Sequence, residues 1–592
     1  MTGERKENER KRADCDPLRI ADEYRRGIRY KNGMGDRGLY EQCRMNERFY
    51  IGDQWYGANC GSERPLVRYN VIKRIGDYKM AVIGGSPVSI RYSAEGVPNT
   101  LDDRETVRRL RKEAAAGKPV FSGGAEPENG EINLVMSALT DYFRTTAERV
   151  KFDDRKGQVL RDAYQTGTGL LYTYWDERVQ TGLYAGWPQR TPITGDIVCE
   201  TLDVENVYFG DPGLDSIQEQ PYILIAQRKS VAAVREEARR NGAGQAELSR
   251  IQPDPDTADA AREEDRKATV LTRFWKEKDQ KGNLSVLAAR VCGDAVVRPV
   301  WNLGVRLYPL AKFVWERKRN AAYGESEITW LIPNQIAINR MLTAGVWSAM
   351  MTGMPMMVVN GDSVPGEITN DPGQILRVYG DQTDVAGAVR YISPPGGSPF
   401  GEAVSALIAD TLAQAGANEA ALGDMQPNNT SAILALREAA TLPLQPVQER
   451  FYSFCEDVAR IWAEFWLAMY GDRQIKIEDG SGVWYLPFRA ERYRNLLISA
   501  RVDVGGSALW SETQTVRTLD NLLDKGVIDA VQYLRRLPKG AVPDREELIR
   551  DCRPAKSPAE GRTDKQSGGG FPTNGTNGPG AMPVGSAQER SE

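Results

Sequence analysis

The stretch "NRMLTAGVWSAMMTGMPMMVVN", Asn339–Asn360, holds six of the chain's fourteen methionines, and no charged residue occurs from Met341 to Gly361. About 20 apolar residues suffice to cross a bilayer. This stretch, however, contains Thr343, Gly345, Ser348, Thr352, Gly353 and Pro355, starts beside Arg340, and is the only one of its kind. It reads as a helix buried among protein neighbours, with flexible methionines filling irregular gaps. The rest of the chain says which neighbours.

At 592 residues the chain exceeds what one hydrophobic core organises, so roughly two to four structural units are expected. Hydrophobic residues make up 41% and charged residues 27%, an ordinary globular balance. The 77 basic and 81 acidic residues leave a net charge of −4, which argues against a broad grip on duplex phosphates. A protein that encloses nucleic acid without holding it remains compatible with that charge. Cys15, Cys43, Cys60, Cys199, Cys292, Cys455 and Cys552 form no C-x-x-C and read as free thiols of a reducing compartment. The opening "MTGERKENERKRADCD" lacks an apolar core, so no signal peptide is expected, and the N-x-S/T matches at Asn428 and Asn429 carry no glycan meaning. There is no histidine at all. A histidine base, a histidine-ligated zinc and a Ser–His dyad are therefore excluded.

The pattern predicts disorder over residues 1–16, then helix from Pro17 to Gln54 broken at "KNGMGDRG". "RPLVRYNVIKRIGDYKMAVIGGSPVSIRYS" reads as a short strand, a helix, a turn and a strand alternating Val88, Ile90 and Tyr92. Residues 101–117 read as a charged helix and "GKPVFSGGAEPENGE" as a loop, followed by two amphipathic helices from Ile132 to about Gln165. Strands are expected at "GLLYTYWD", "GDIVCETLD", "NVYFGDP" and "YILIAQRK", then a helix at 230–241 and a polar linker "QPDPDTADAAREEDRK". "TVLTRFWKEK" and "LSVLAARVCG" resume the strands, ending near "YPLAKFVWERKR". Glu325–Met351 is a long helical pattern, and short strands are expected at "MPMMVVN", "GQILRVYG" and "VRYISPP". Residues 402–421 read as an Ala-rich helix with Val404, Leu407, Ile408 and Leu412 on one side. After "LGDMQPNNTS", the residues Phe451, Phe454, Val458, Ile461, Trp462, Phe465, Trp466 and Met469 recur at helical spacing, and Pro443 and Pro446 predict a break or kink in that helix. The tail from Arg553 is low in complexity.

Most chemistry motifs dissolve on reading. "GMGDRG" at Gly33–Gly38 matches G-x-G-x-x-G, but the charged "EYRRGIRYK" precedes it where a dinucleotide fold needs a buried strand, so it reads as an inter-helix turn. No P-loop and no G-x-S-x-G elbow occurs. Asp254, Asp256 and Asp259 lack the spacing and central glycine of a calcium loop. Asp153 with Asp154, and Asp211 with Asp215, read as caps or turn residues with nothing basic predictably near.

Several blocks occur in a telling order: "FYIGDQWYG", "RPLVRYNVIKRIGDYKMAVIGGSPVSIRYSAEG", "VLRDAYQTGTGLLYTYWD", "LDVENVYFGDPG", "YILIAQRKSVAAVRE", "DPGQILRV", "ISPPGGSPF", "NNTSAILALRE", "RVDVGGSALWSE" and "LLDKGVIDAVQYLRRLP". Together, over roughly Tyr40 to Pro538, they resemble the portal proteins of tailed bacteriophages, in particular the short-tailed-phage type. The resemblance implies an α+β portal fold with a mixed α/β wing, a two-helix stem, a small β-containing clip, a long kinked channel helix and a helical crown. It implies a wing over 17–324 and 472–505, a first stem helix over 325–354, a clip over 355–401 and a second stem helix over 402–421. A channel loop follows over 422–431, a kinked helix over 432–471 and a crown over 506–552. The tail over 553–592 turns to Gly, Pro and Asn, against a long C-terminal barrel.

By that resemblance the chain forms a homo-oligomeric ring, usually of twelve subunits, at one capsid vertex of the virion after assembly in the host cytoplasm. Double-stranded DNA enters through it, driven by the terminase large subunit, and leaves into the tail. The major capsid and scaffolding proteins and a head–tail adaptor are further partners; no membrane, cofactor, metal or catalytic residue is implied. Asp424, Gln426, Asn428, Asn429, Thr430 and Ser431 would line the DNA channel, although without the resemblance this loop reads as a surface turn. Met341, Val346, Trp347, Met350, Met351 and Met354 would pack the stem between subunits. Two other readings compete. An adaptor or scaffold protein is disfavoured by chain length, and a metal-dependent nucleic-acid enzyme by carboxylates that are dispersed rather than convergent.

Overall fold

Asp16 starts the first helix: its carboxylate accepts the Leu18 N–H at 3.1 Å and Pro17 presets the first turn, so α1 runs Pro17–Asn32. The computed structural model describes residues 15–56, 66–85, 88–95, 129–185, 191–259, 262, 265–278, 282–352, 356–360, 362, 364, 377–379, 389–392, 400–417, 441–470, 472–479, 482–489, 493, 496–503, 509–537 and 548–549. Gly35 and Gly38, both with positive φ, turn the chain into α2 (Leu39–Ile51), so the G-x-G-x-x-G letters are an inter-helix turn. Asn70 caps α3 (Val71–Gly84) through the Lys73 N–H at 3.0 Å. Strand β1 (Ser89–Ala94) buries Ile90, Tyr92 and Ala94 in alternation. Helices α4 (Asn129–Arg149) and α5 (Phe152–Thr166) lead into β2 (Thr168–Ala185), β3 (Thr191–Leu202), β4 (Val207–Phe209) and β5 (Tyr222–Ser230). Then come α6 (Val231–Arg240), α7 (Gln245–Arg250), β6 (Lys267–Lys278), β7 (Leu284–Cys292), β8 (Ala295–Asn302) and β9 (Leu310–Val314). The long helix is α8 (Glu327–Thr352), followed by β10 (Met356–Val359), β11 (Val389–Ile392), α9 (Phe400–Gln414) and α10 (Gln445–Met469). The hairpin β12 (Asp472–Asp479) and β13 (Gly482–Arg489) precedes β14 (Ile498–Asp503), α11 (Leu509–Asp524) and α12 (Ala530–Arg536).

The chain is mixed α+β and divides into two compact units, Met1–Ala508 and Leu509–Glu592. In the first unit, β4–β5–β6–β7–β8 form an antiparallel sheet and β3–β2–β9 a second one. β1 pairs with β14, so the late segment returns to the N-terminal region. In the second unit, α11 and α12 are separate helices, and Asp529 caps α12 through the Gln532 N–H.

Sequence periodicity located most of this. The residues expected to form one apolar face of α10 are buried, Met469 only in part. Trp462 lies 4.9 Å from the Phe143 ring and 5.4 Å from Phe152, and Phe451 lies 5.4 Å from Phe313, so α10 ties α4, α5 and β9 into one core. Pro443 sits in a short 3₁₀ turn and Pro446 in the first helical turn, where a missing N–H costs nothing. The part of the expected helix before Thr441 lies outside the described residues. β8, "AVVRPVWN", is a strand that the pattern did not single out.

Some expectations change. The short strand before α3 does not form, for a reason given below. The helix expected over 402–421 ends at Gln414: Gly416 turns left-handed with φ of +71° and the Ala417 N–H returns to the Leu412 carbonyl at 2.9 Å. The disorder expected over 1–16 does not extend to Cys15, which is buried, or Asp16, which caps α1; residues 1–14, the helix expected at 101–117, the tail from Arg553 and most of "GQILRVYG" lie outside the described residues.

Five free cysteines, Cys15, Cys43, Cys199, Cys292 and Cys455, are buried, and burial pushes each thiol up, to about 11 for Cys199 and about 12 for Cys43. Lys31 is also fully buried. Its Nζ donates to the Val204 and Glu205 carbonyls at 2.7 and 2.9 Å and lies 3.7 Å from the centre of the Tyr208 ring. Burial lowers its pKa to about 7, against the opposing pull of Asp203, Cys43 and Glu205. The native state therefore holds this proton less tightly than the unfolded chain does, and stability from this group rises with pH above about 7 and is penalised in full below it. Urea denaturation of wild type and Lys31→Met between pH 6 and 10 will show wild type gaining on the variant as pH rises; a pH-independent difference would contradict the assignment.

Candidate functional site

The start of α8 is built by close backbone approach. Gly167, with φ of +87°, follows α5, and a Cβ there would lie 2.6 Å from the Gly324 carbonyl oxygen. The Gly324 N–H donates to Thr168 Oγ1 at 2.8 Å and Ser326 Oγ to the Tyr164 carbonyl at 2.5 Å, so α8 begins where α5 ends. Glu327 then anchors it. Its carboxylate meets Lys79 Nζ of α3 at 2.5 Å and accepts from Trp315 Nε1 at 3.1 Å. Burial pushes the Glu327 carboxyl up, and Lys79 and the two hydrogen bonds pull it back. Ile328, Leu331, Ile332 and Ile338 are buried.

Above this base, three side chains at four-residue spacing on α8 grip residues 67–71. The Val67 N–H donates to Thr343 Oγ1 at 3.1 Å, the Tyr69 N–H to Asn339 Oδ1 at 3.1 Å, and the Val71 N–H to Gln335 Oε1 at 2.9 Å. Gln335 Nε2 returns to the Tyr69 carbonyl at 2.6 Å, and Asn339 Nδ2 donates to Gln54 Oε1 at 2.6 Å. Alternate residues of an extended chain advance about 6.6 Å, and four helical residues advance about 6.0 Å, so the two periods match over three rungs. Among the described residues, this ladder occupies the N–H groups that a neighbouring strand would have paired, so the segment is extended without being a strand. The sequence signal was a polar residue every fourth position on a charge-poor helix, indistinguishable by pattern from a solvated stripe.

Beyond the ladder the helix emerges. Met341 and Trp347 are half-buried, Val346 is 39% exposed and Met350 49% exposed. Met351, one residue before the end of α8, has a side chain outside the described set, and Met354 lies outside the described residues altogether. α9 lies against α8, with Asn334 Nδ2 donating to Thr411 Oγ1 at 3.3 Å and Val404 and Leu412 buried. β10 and β11 pair antiparallel, Met356 opposite Ile392, joining the ends of the segment expected as clip. Asp424, Gln426, Asn428, Asn429, Thr430 and Ser431 lie outside the described residues.

Most of the acidic groups singled out in the sequence have local partners. Asp254 accepts from Thr269 and pairs with Arg228 at 3.2 Å, and Asp256 takes Arg228 at 2.7 Å. Asp153 pairs with Lys156 at 2.6 Å and Asp215 with Lys312 at 3.0 Å, correcting the expectation that nothing basic lies near them. Asp211 accepts from the Gly213 N–H as a turn residue. Among the described residues no three Cys, Asp or Glu side chains converge to hold a metal, and no helix is long and apolar enough to cross a membrane.

No family model matches the chain, and no curated protein matches it. Among solved structures it is similar to a chain from the neck of an empty GTA particle computed with C6 symmetry, at 12% identity and TM-score 0.31, covering 79% of this chain and 89% of that one. A chain from the virion of a native gene transfer agent particle aligns at 11% identity and TM-score 0.32, covering 84% and 94%. Likeness at that level carries no argument here.

Asn339→Leu will leave the Tyr69 N–H and Gln54 Oε1 without partners and will lower stability by about 2 kcal/mol in urea denaturation. Thr343→Val, at the more open rung, will cost about half as much; equal and negligible losses would show that the ladder holds nothing.

Proposed function

We propose that this chain is a portal subunit of a phage-type particle. Copies close into a ring, usually of twelve, at a capsid vertex, and double-stranded DNA passes through its bore under the terminase motor on the way in and toward an adaptor and tail on the way out. In this reading the capsid and scaffolding proteins surround the ring, and the chain does no catalysis.

The observation that carries the reading is the outer half of α8. It has no charge from Met341 onward, yet Val346 and Met350 are open in the single subunit. A helix end that faces water normally carries charge on its outer face. Neighbouring copies would cover this one, and a closed ring of heterologous contacts leaves no copy uncovered. The firmly anchored base suits a stave that must hold its angle against its neighbours. The ordered sequence blocks support the same reading, as does the charge balance. DNA must slide both ways, and each lysine or arginine on a phosphate adds salt-dependent affinity and so friction. The loop "LGDMQPNNTS", with amides, hydroxyls and the single Asp424, suits a low-friction lining.

Mass photometry of the purified protein will show a large ring, and Val346→Asp with Met350→Lys will abolish it while the melting temperature stays unchanged. Wild type that remains monodisperse as a monomer at micromolar concentration would overturn the reading. Replacing Gln426, Asn428 and Asn429 together with lysine will slow DNA packaging in vitro, more at low salt than at high; an unchanged rate would remove this loop from the bore.

A further inference from the structure

The edge strand β8 carries a cation that no acid among the described residues pairs with directly. Arg298 stands directly opposite Arg290 of β7, and the pairing slips on both sides of this pair, between Ala288 and Arg290 and between Arg290 and Val291. Like charges directly opposite are unfavourable, and bulges at sheet edges serve to re-aim a side chain. Arg290 is satisfied: it pairs closely with Glu237 and donates to Thr272 Oγ1 at 3.0 Å. Lys229 reaches the same Glu237 carboxylate at 3.8 Å. One carboxylate thus serves two cations already. Arg298 has no hydrogen-bonded or ion-paired acid among the described residues; its guanidinium lies 4.1 Å from the centre of the Trp301 ring. Stacking on the ring face leaves the in-plane N–H fork free for a bidentate oxyanion. Tyr172, stacked on Tyr174, also stands near the pair, so this surface is partly desolvated. Burial, and next the Arg290 charge, lower the Arg298 pKa.

We infer that Arg298, held on Trp301 between two slips of the edge strand, receives an aspartate or glutamate side chain from the neighbouring copy of the chain. This rests on the ring reading above. An isolated carboxylate fits better than a nucleic-acid backbone. Duplex DNA carries a charge about every 1.7 Å along its axis. Glu237, Glu177 and Glu200, all close enough to act on this cluster, would repel such a line of charge. The chain also supplies acid: Asp259 is exposed in the linker "QPDPDTADAAREEDRK", and acidic residues outnumber basic ones, 81 to 77.

The test uses the full chain. Arg298→Glu will raise the concentration for half-assembly of the ring about ten-fold, as loss of one charge-assisted pair per interface implies, with an unchanged melting temperature. Arg298→Lys will still assemble, and a zero-length carbodiimide will crosslink position 298 of this variant into a ladder of covalent oligomers, with the acidic partner found by mass spectrometry. Rings that form equally well from Arg298→Glu, or crosslinks confined to one subunit, would overturn this contact while leaving the ring reading standing. Unchanged assembly with weakened binding of a fluorescent duplex would overturn it in favour of a phosphodiester. Wild type that forms no ring fails the ring reading first, and this contact with it.

Discussion

A four-residue step along a helix and a two-residue step along an extended chain have nearly the same length, and the long helix α8 is seated on that coincidence. Gln335, Asn339 and Thr343 each meet one N–H of the segment 67–71. A buried polar side chain is costly when its partners are missing and specific when they are present. Here Leu331 below and Trp347 above offer no fourth rung, so sliding by one turn would sacrifice a hydrogen bond. The register of the helix against the body is therefore unique. Lys79 and Glu327 secure the same helix at its root. A strictly apolar interface would have held it as tightly but would have tolerated slippage.

That anchoring divides one continuous helix into two chemical regimes. The lower half faces a core reinforced by α10, whose aromatic residues reach α4, α5 and β9. The upper half keeps the same apolar character, and Val346 and Met350 there are exposed. Methionine suits such a surface, since its unbranched side chain adapts to partners of irregular shape. The absence of histidine removes histidine-dependent chemistry, and Asp153, Asp215, Asp254 and Asp256 are engaged in ion pairs.

The edge of the five-stranded sheet shows a comparable incompleteness in charge. Natural sheets guard their edges with charged residues and bulges. Two arginines in register, with one carboxylate shared between Arg290 and Lys229, exceed what guarding requires. Both features, an exposed apolar helix end and an arginine with no ion-paired acid among the described residues, are the ones on which the proposed contacts between copies rest.

Local pattern by itself determined a great deal of this protein. The periodicity of Phe451 to Trp466 announced the buried helix, the alternation of Ile90 and Tyr92 announced β1, and "KNGMGDRG" announced a turn, because apolar spacing and glycine are local signals with local causes. The absence of histidine and the charge balance bounded the chemistry for the same reason. Tertiary structure alone decided the rest. Whether "LVRYN" pairs as a strand depended on three side chains more than 260 residues away. Whether Asp215 stands alone depended on Lys312, and whether Lys31 is solvated depended on a carbonyl pair 173 and 174 residues away and on the Tyr208 ring. A polar residue on a helix looks the same in sequence whether it meets water or a buried N–H. Only the folded chain brings the partner, and with it the desolvation that makes the contact matter.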